Sequence, residues 1–243
     1  MCTVSYIAGR NRKYFTSNRD ENKNRESAAT PQTEIRNGKK ITFPKVPVGG
    51  GTWFAVSENG TVGILLNGAF QKHTPFYPYR KSRGLILLDL MDAEDGVVFF
   101  YNAFLENIEP FTMIYFYSNK LYELRWDGHQ KHFLRLDVAL NYIWSSVTLY
   151  NNDAIDKRGK LFQDFIANDL SVNSRSILDF HCNNYDDYEN GFIIKRNNGI
   201  QTQCITQAII RESNIRLLHH DLIRNCQHEQ IIEIQHAGII EKN

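Results

Sequence analysis

Two apolar runs, residues 52–57 and 61–67, are joined by Glu58-Asn59-Gly60. Asn-Gly between apolar segments is the strongest short-range hairpin signal, because both residues tolerate the positive φ that a tight turn demands. The pattern recurs. Residues 2–8 and 13–18 flank a turn at 9–12, residues 111–117 and 121–126 flank Asn119-Lys120, and 132–136 follow Asp127-Gly128. Residues 204–211 and 215–220 flank Ser213-Asn214, with 141–146 and 231–235 as further strand candidates. Helical spacing marks 83–91 and 93–105, with Asp92 between them as a candidate N-cap, and also 156–167 and 174–180. Paired strands with helices grouped between them predict an α+β fold of antiparallel sheets. Residues 21–40 are charged, lack apolar periodicity and read as one long loop.

The 243 residues suffice for one domain spanning 1–243 with a sizeable core. With 28 basic and 27 acidic side chains the net charge is +1, which gives nucleic acid and acidic lipid no electrostatic claim as partners. No apolar run approaches the ~18 to 20 residues of an integral membrane segment. The first apolar run precedes Gly9-Arg10-Asn11-Arg12-Lys13, the reverse of a secretory signal. Four cysteines are no disulfide framework, so a reduced, cytoplasmic protein is expected.

Cys2 is the first residue that could carry chemistry. With Met1 removed it would hold a thiol and a free α-amine, nucleophile and base in one residue. Asn18-Arg19-Asp20-Glu21 follows on the returning strand. If the first turn is centred between Arg10 and Asn11, paired residue numbers sum to 21 and Cys2 faces Arg19. Opposed residues share a face with Cβ atoms about 4.5 to 5.5 Å apart, where a guanidinium favours the thiolate. A half-residue shift would set Asp20 or Glu21 there instead, and a charged strand end opening a solvated loop is the plain alternative. Gly49-Gly50-Gly51-Thr52-Trp53 has no following Lys-Ser/Thr and is no phosphate loop. Tyr77 and Tyr79, among prolines, could line a cleft or cover the edge of the core. His181-Cys182, Cys204 and Cys226-Gln227-His228 lack the knuckle spacing of a zinc site, so no metal is expected.

Met1-Cys2-Thr3, Asn18-Arg19-Asp20-Glu21 with Arg25, Gly50-Gly51-Thr52-Trp53, Asn67 and Ser82-Arg83-Gly84 occur in the order and spacing of the NRDE family. The chain resembles that family, the transport and Golgi organisation two family, along its whole length. The resemblance implies a four-layer αββα sandwich like that of the N-terminal nucleophile hydrolases. It also implies Cys2 as nucleophile, Arg19 and Asp20 as its partners and Asn67 as an oxyanion donor. Asn18, Trp53, Ser146 and Gln201 become candidate substrate-binding positions. Two positions depart from the family pattern. Ser146 stands where the family has Asn, and Gln201 where it has Arg.

The expected activity is hydrolysis of a small or acyl-linked amide C–N bond, with a small molecule as partner, no cofactor, and a homo-oligomer left open. The alternative is a non-catalytic carrier on the same fold, since some relatives are associated with haem, lipid or acyl-coenzyme A handling. No Cys-x-x-Cys-His haem motif is present. If Ser146 and Gln201 lie in the Cys2 cleft, losing the family's Asn and Arg there predicts a preference for a neutral ligand, or a weaker hydrolase than members with the full pattern.

Overall fold

The computed structural model describes residues 3–169 and 172–235. In chain order these hold β1 (Thr3–Gly9), β2 (Arg12–Asn22), β3 (Gln32–Arg36), β4 (Lys39–Phe43), β5 (Phe54–Ser57) and β6 (Val62–Asn67). There follow α1 (Arg83–Asp92), α2 (Gly96–Asn102), β7 (Phe111–Tyr117), β8 (Lys120–Trp126), β9 (Lys131–Leu136) and β10 (Tyr142–Ser145). The chain continues with α3 (Asn152–Asn168), α4 (Ser174–His181), β11 (Ile200–Ile210), β12 (Asn214–Asp221) and β13 (Cys226–Glu233).

The strands form two antiparallel sheets, β10-β1-β2-β11-β12-β13 and β3-β4-β5-β6-β7-β8-β9. Period-2 alternation sorts their side chains between two cores. Val4, Tyr6, Phe15 and Ala208 point inward and pack with Phe54, Ile64 and Phe116 of the seven-stranded sheet. Their neighbours Ile7, Tyr14 and Ile209 point outward and pack under Phe162 of α3 and Ile177 and Phe180 of α4. On the far side, α1 packs on β4, β5 and β6, and α2 packs on α1. The layers therefore run helices, sheet, sheet, helices, the αββα order expected.

Residues 21–40 are not one loop. Their second half forms β3 and the start of β4, joined at Asn37-Gly38, where φ is +44° and +80°. β3 is an edge strand whose side chains stay at least partly exposed, so it carries no apolar alternation to betray it. Asp92 ends α1 rather than capping α2. The cap is Asp95, whose carboxylate accepts from the Val97 and Val98 N–H groups. β13 begins at Cys226, five residues before the strand expected at 231–235, because β12 offers it a full edge to pair with.

Candidate active site

The first hairpin pairs Thr3↔Asn18 through Gly9↔Arg12, so every described pair sums to 21. The described part of the ladder begins at Thr3. Cys2 lies outside the described residues. On β2 the alternation divides Asn18-Arg19-Asp20-Glu21 between two sides of the sheet. Arg19 and Glu21 face the space between the sheets, where a cavity of about 540 Å³ opens. Asn18 and Asp20 face the helical layer instead, and each is fixed there by its own bonds.

Arg19 is only 2% exposed. Its guanidinium lies 5.0 Å from the Trp53 ring centroid and donates to Gln203 Oε1 and, at 3.3 Å, to Glu21 Oε2. Gln203 sits at a β-bulge between Thr202 and Cys204, and its Nε2 donates to the Asn22 and Arg25 carbonyls. One extra residue in β11 thus turns an amide toward Arg19 and ties the strand to the segment after β2. Burial would raise the Glu21 pKa. The Asn22 N–H and the guanidinium groups of Arg19 and Arg25 outweigh it and hold Glu21 below the usual carboxylate range. Cys204, opposite Arg19, is pushed up to about 12 by burial, Arg19 notwithstanding, and is an inert thiol.

The glycines of Gly50-Gly51-Thr52-Trp53 and Ser82-Arg83-Gly84 meet one another. A Cβ on Gly51 would lie 2.8 Å from the Gly84 carbonyl carbon, and one on Gly84 would lie 2.8 Å from the Thr52 oxygen. Thr52 N–H donates to Gly84 O across this contact. Two backbones can approach so closely only without side chains. The contact brings the first turn of α1, with Arg83, beside Trp53, so both motifs line one cavity. Arg83 is held there by Glu109 at 3.0 Å.

Asp20 belongs to a buried network on the other face. Its Oδ2 accepts from Tyr150 OH at 2.8 Å and its Oδ1 from Thr202 Oγ1 at 2.6 Å. Tyr150 OH accepts from Arg158 Nη2 at 2.9 Å, with the guanidinium carbon 3.7 Å from the phenol ring centroid. Arg158, fully buried, also donates to Thr3 Oγ1 and Ser145 Oγ. Asp20 is therefore joined, through one phenol, to a buried cation that also grips the first described residue of β1. Sequence reading misses Tyr150, Arg158, Thr202 and Gln203. Arg158 lies in Asp156-Lys157-Arg158-Gly159-Lys160, which reads as the solvated face of a helix.

Of the other candidates, Asn67 ends β6 in the cavity wall and Trp53 stands beside it. Ser146 is buried behind Asn67 and donates to its main-chain oxygen at 2.8 Å. Gln201 pairs with Glu21 on the sheet but is not part of the cavity wall. Asn18, fully buried, donates to the His181 and Phe192 carbonyls and bonds the His181 ring. Among the described residues no three or more His, Cys, Asp or Glu side chains are grouped to hold a metal.

Two antiparallel sheets packed face to face between helical layers are the arrangement of the N-terminal nucleophile hydrolase fold. Residues 1–130 match the model of the Transport and Golgi organisation 2 family, and the chain belongs to that family. Among solved structures, a variant of the conjugated bile acid hydrolase of Clostridium perfringens is similar over 100% of both chains, with a TM-score of 0.57 at 11% identity. The Caenorhabditis elegans orthologue of N-acylethanolamine-hydrolyzing acid amidase covers 85% of this chain and 92% of its own, with a TM-score of 0.60 at 11% identity. No curated protein matches the sequence. At such identities the likeness establishes the fold alone. Among the described residues, no helix is long and apolar enough to cross a membrane.

Proposed function

We propose that the protein, one domain over 1–243, is a cysteine N-terminal nucleophile amidohydrolase acting on a small or acyl-linked amide. The observation that carries this reading is Arg19. It is a buried guanidinium in the wall of a half-enclosed cavity, one residue beyond the last described pair of the hairpin whose opposite strand follows Cys2 in sequence. Once Met1 is removed, the Cys2 thiolate attacks the amide carbonyl. The C–N bond breaks, the α-ammonium passes its proton to the leaving amine, and water then releases the acid from the thioester. Arg19 favours the thiolate, Asp20 acts on the α-ammonium through its charge from the other face of β2, and the Asn67 amide donates to the oxyanion. Trp53 bounds the substrate, Asn18 and Ser146 act on it through the elements they fix, and Gln201 through its place beside Glu21 on the sheet. The free thiols of Cys182, Cys204 and Cys226 support a reducing, cytoplasmic setting.

One observation favours the carrier reading. Ser146 spends its hydroxyl on the Asn67 main chain instead of offering a second amide donor. Loss of one oxyanion donor costs roughly 10²- to 10³-fold in rate. The test is release of free amine from N-acyl amides of graded acyl length by the wild type and Cys2→Ala. Turnover abolished by Cys2→Ala supports the hydrolase. Turnover retained by the variant, or acyl-amide binding without turnover by a wild type shown to lack Met1, overturns it, the latter in favour of a carrier.

A further inference from the structure

The cavity wall is not electrically neutral. It holds four cationic side chains, Arg19, Arg25, Lys81 and Arg83, against two carboxylates, Glu21 and Glu109. Each carboxylate is shared. Glu21 takes Arg19 at 3.3 Å and Arg25 at 3.0 Å, and Glu109 takes Arg83 at 3.0 Å and His73 at 3.2 Å. Lys81 leans on Asp89, outside the cavity wall. Burial lowers the Arg83 pKa from its usual value, and the like charge of Arg25 adds a smaller effect in the same direction. Glu21 stays ionised at neutral pH, yet the surplus remains positive. The wall also carries apolar side chains, Val46, Val48 and Leu65. Trp53 adds an indole N–H that is buried and has no acceptor among the described residues.

We propose that Arg25, Lys81 and Arg83 form an anion subsite, and that the molecule taken by this cavity is an acyl amide bearing a carboxylate or phosphate. The proposal rests on the reading of this cavity as the substrate cleft. It reverses the preference for a neutral ligand expected from Gln201, which stands outside the wall while four cationic side chains stand in it. The apolar part of the wall takes the acyl chain, and the anion completes the pair that Glu21, shared between Arg19 and Arg25, leaves unfilled, with Lys81 and Arg83 close by in the same wall. A charge-assisted hydrogen bond in such a site is worth about tenfold or more in affinity.

The test uses the full chain carrying Cys2→Ala, so that binding is read without turnover. N-octanoylglycine, octyl phosphate and the neutral N-octanoylethanolamine are titrated calorimetrically at ~0.05 and ~0.5 M NaCl, since screening shortens from above 10 Å to below it over that range. Both anions should bind about tenfold tighter than the neutral amide and lose that advantage at high salt. Arg25→Gln and Lys81→Gln, both at partly exposed positions, should each weaken the anions several-fold and leave the neutral amide unchanged. A carboxylate that binds where the phosphate does not, or the reverse, identifies the anion and still supports the subsite. Equal or tighter binding of the neutral amide, or anion affinity untouched in both variants, overturns it. Because Cys2 is absent, an inactive wild type would refute the hydrolase without touching this result. A hydrolase that prefers neutral amides would refute the subsite alone.

Discussion

Arg19 and Asp20 are neighbours in sequence and opposites in the fold. One reaches the cavity and the other a buried phenol and threonine on the helical side. Each therefore makes its own prediction. Arg19→Ala should raise the Cys2 thiol pKa by about one unit or more, read as the pH dependence of its iodoacetamide rate. The same profile in a folded variant would make Arg19 structural. Tyr150→Phe removes the hydroxyl between Arg158 and Asp20 and leaves a buried guanidinium hydrogen without that acceptor. It should cost about 1–3 kcal/mol in urea unfolding, and should move the pH profile of amide hydrolysis through Asp20. Wild-type stability would remove the network from the account.

At the scale of elements, the contact between Gly51-Thr52 and Gly84 decides whether α1 seats its first turn against Trp53. Gly84→Ala puts a Cβ 2.8 Å from the Thr52 carbonyl oxygen, a backbone atom that cannot swing aside. We expect a loss of about 1–3 kcal/mol and weaker ligand binding. Thermal shift with N-octanoylglycine checks both, and an unaffected protein would mean that the two segments part freely. These motifs are visible in the sequence, but their meeting is not, since 31 positions separate Thr52 from Arg83. The hairpins were legible because Asn59-Gly60, Asn119-Lys120 and Ser213-Asn214 stand between apolar runs. Asn37-Gly38 sends the same signal, masked because β3 lies at a sheet edge and buries little. The cavity half of the site was readable in the same way, as Arg19, Trp53 and Asn67 on predicted hairpins. Gln203 was not, because a bulge shifts the register that sequence spacing assumes. Nor was Arg158, because burial of a cation from a charged helical stretch leaves no local trace.

For the whole molecule, two buried histidines couple stability to acid. Burial, with Arg158 adding to it, lowers His181 to about 3, its ring held by Ser5 and Asn18. Burial lowers His219 to about 4. An unfolded histidine takes its proton near pH ~6.5. Between there and pH ~4 the unfolded state binds protons that the folded state refuses. Stability contributed by these neutral rings is complete above pH ~6.5 and falls as pH drops below it, by up to about 1.4 kcal/mol per pH unit for each. Thermal unfolding should therefore weaken steadily from pH 7 to 5, and a flat curve would show the rings to be charged or exposed. The sheets and the cavity both bear on one claim, that Cys2 is a free N-terminal nucleophile. Brief alkylation at neutral pH, followed by intact mass and peptide mapping of protein purified from its native type of host, tests it most directly. The expected product is a chain without Met1, labelled first at Cys2, with Cys204 silent. A retained Met1, or labelling of Cys2 no faster than that of exposed Cys226, would contradict it.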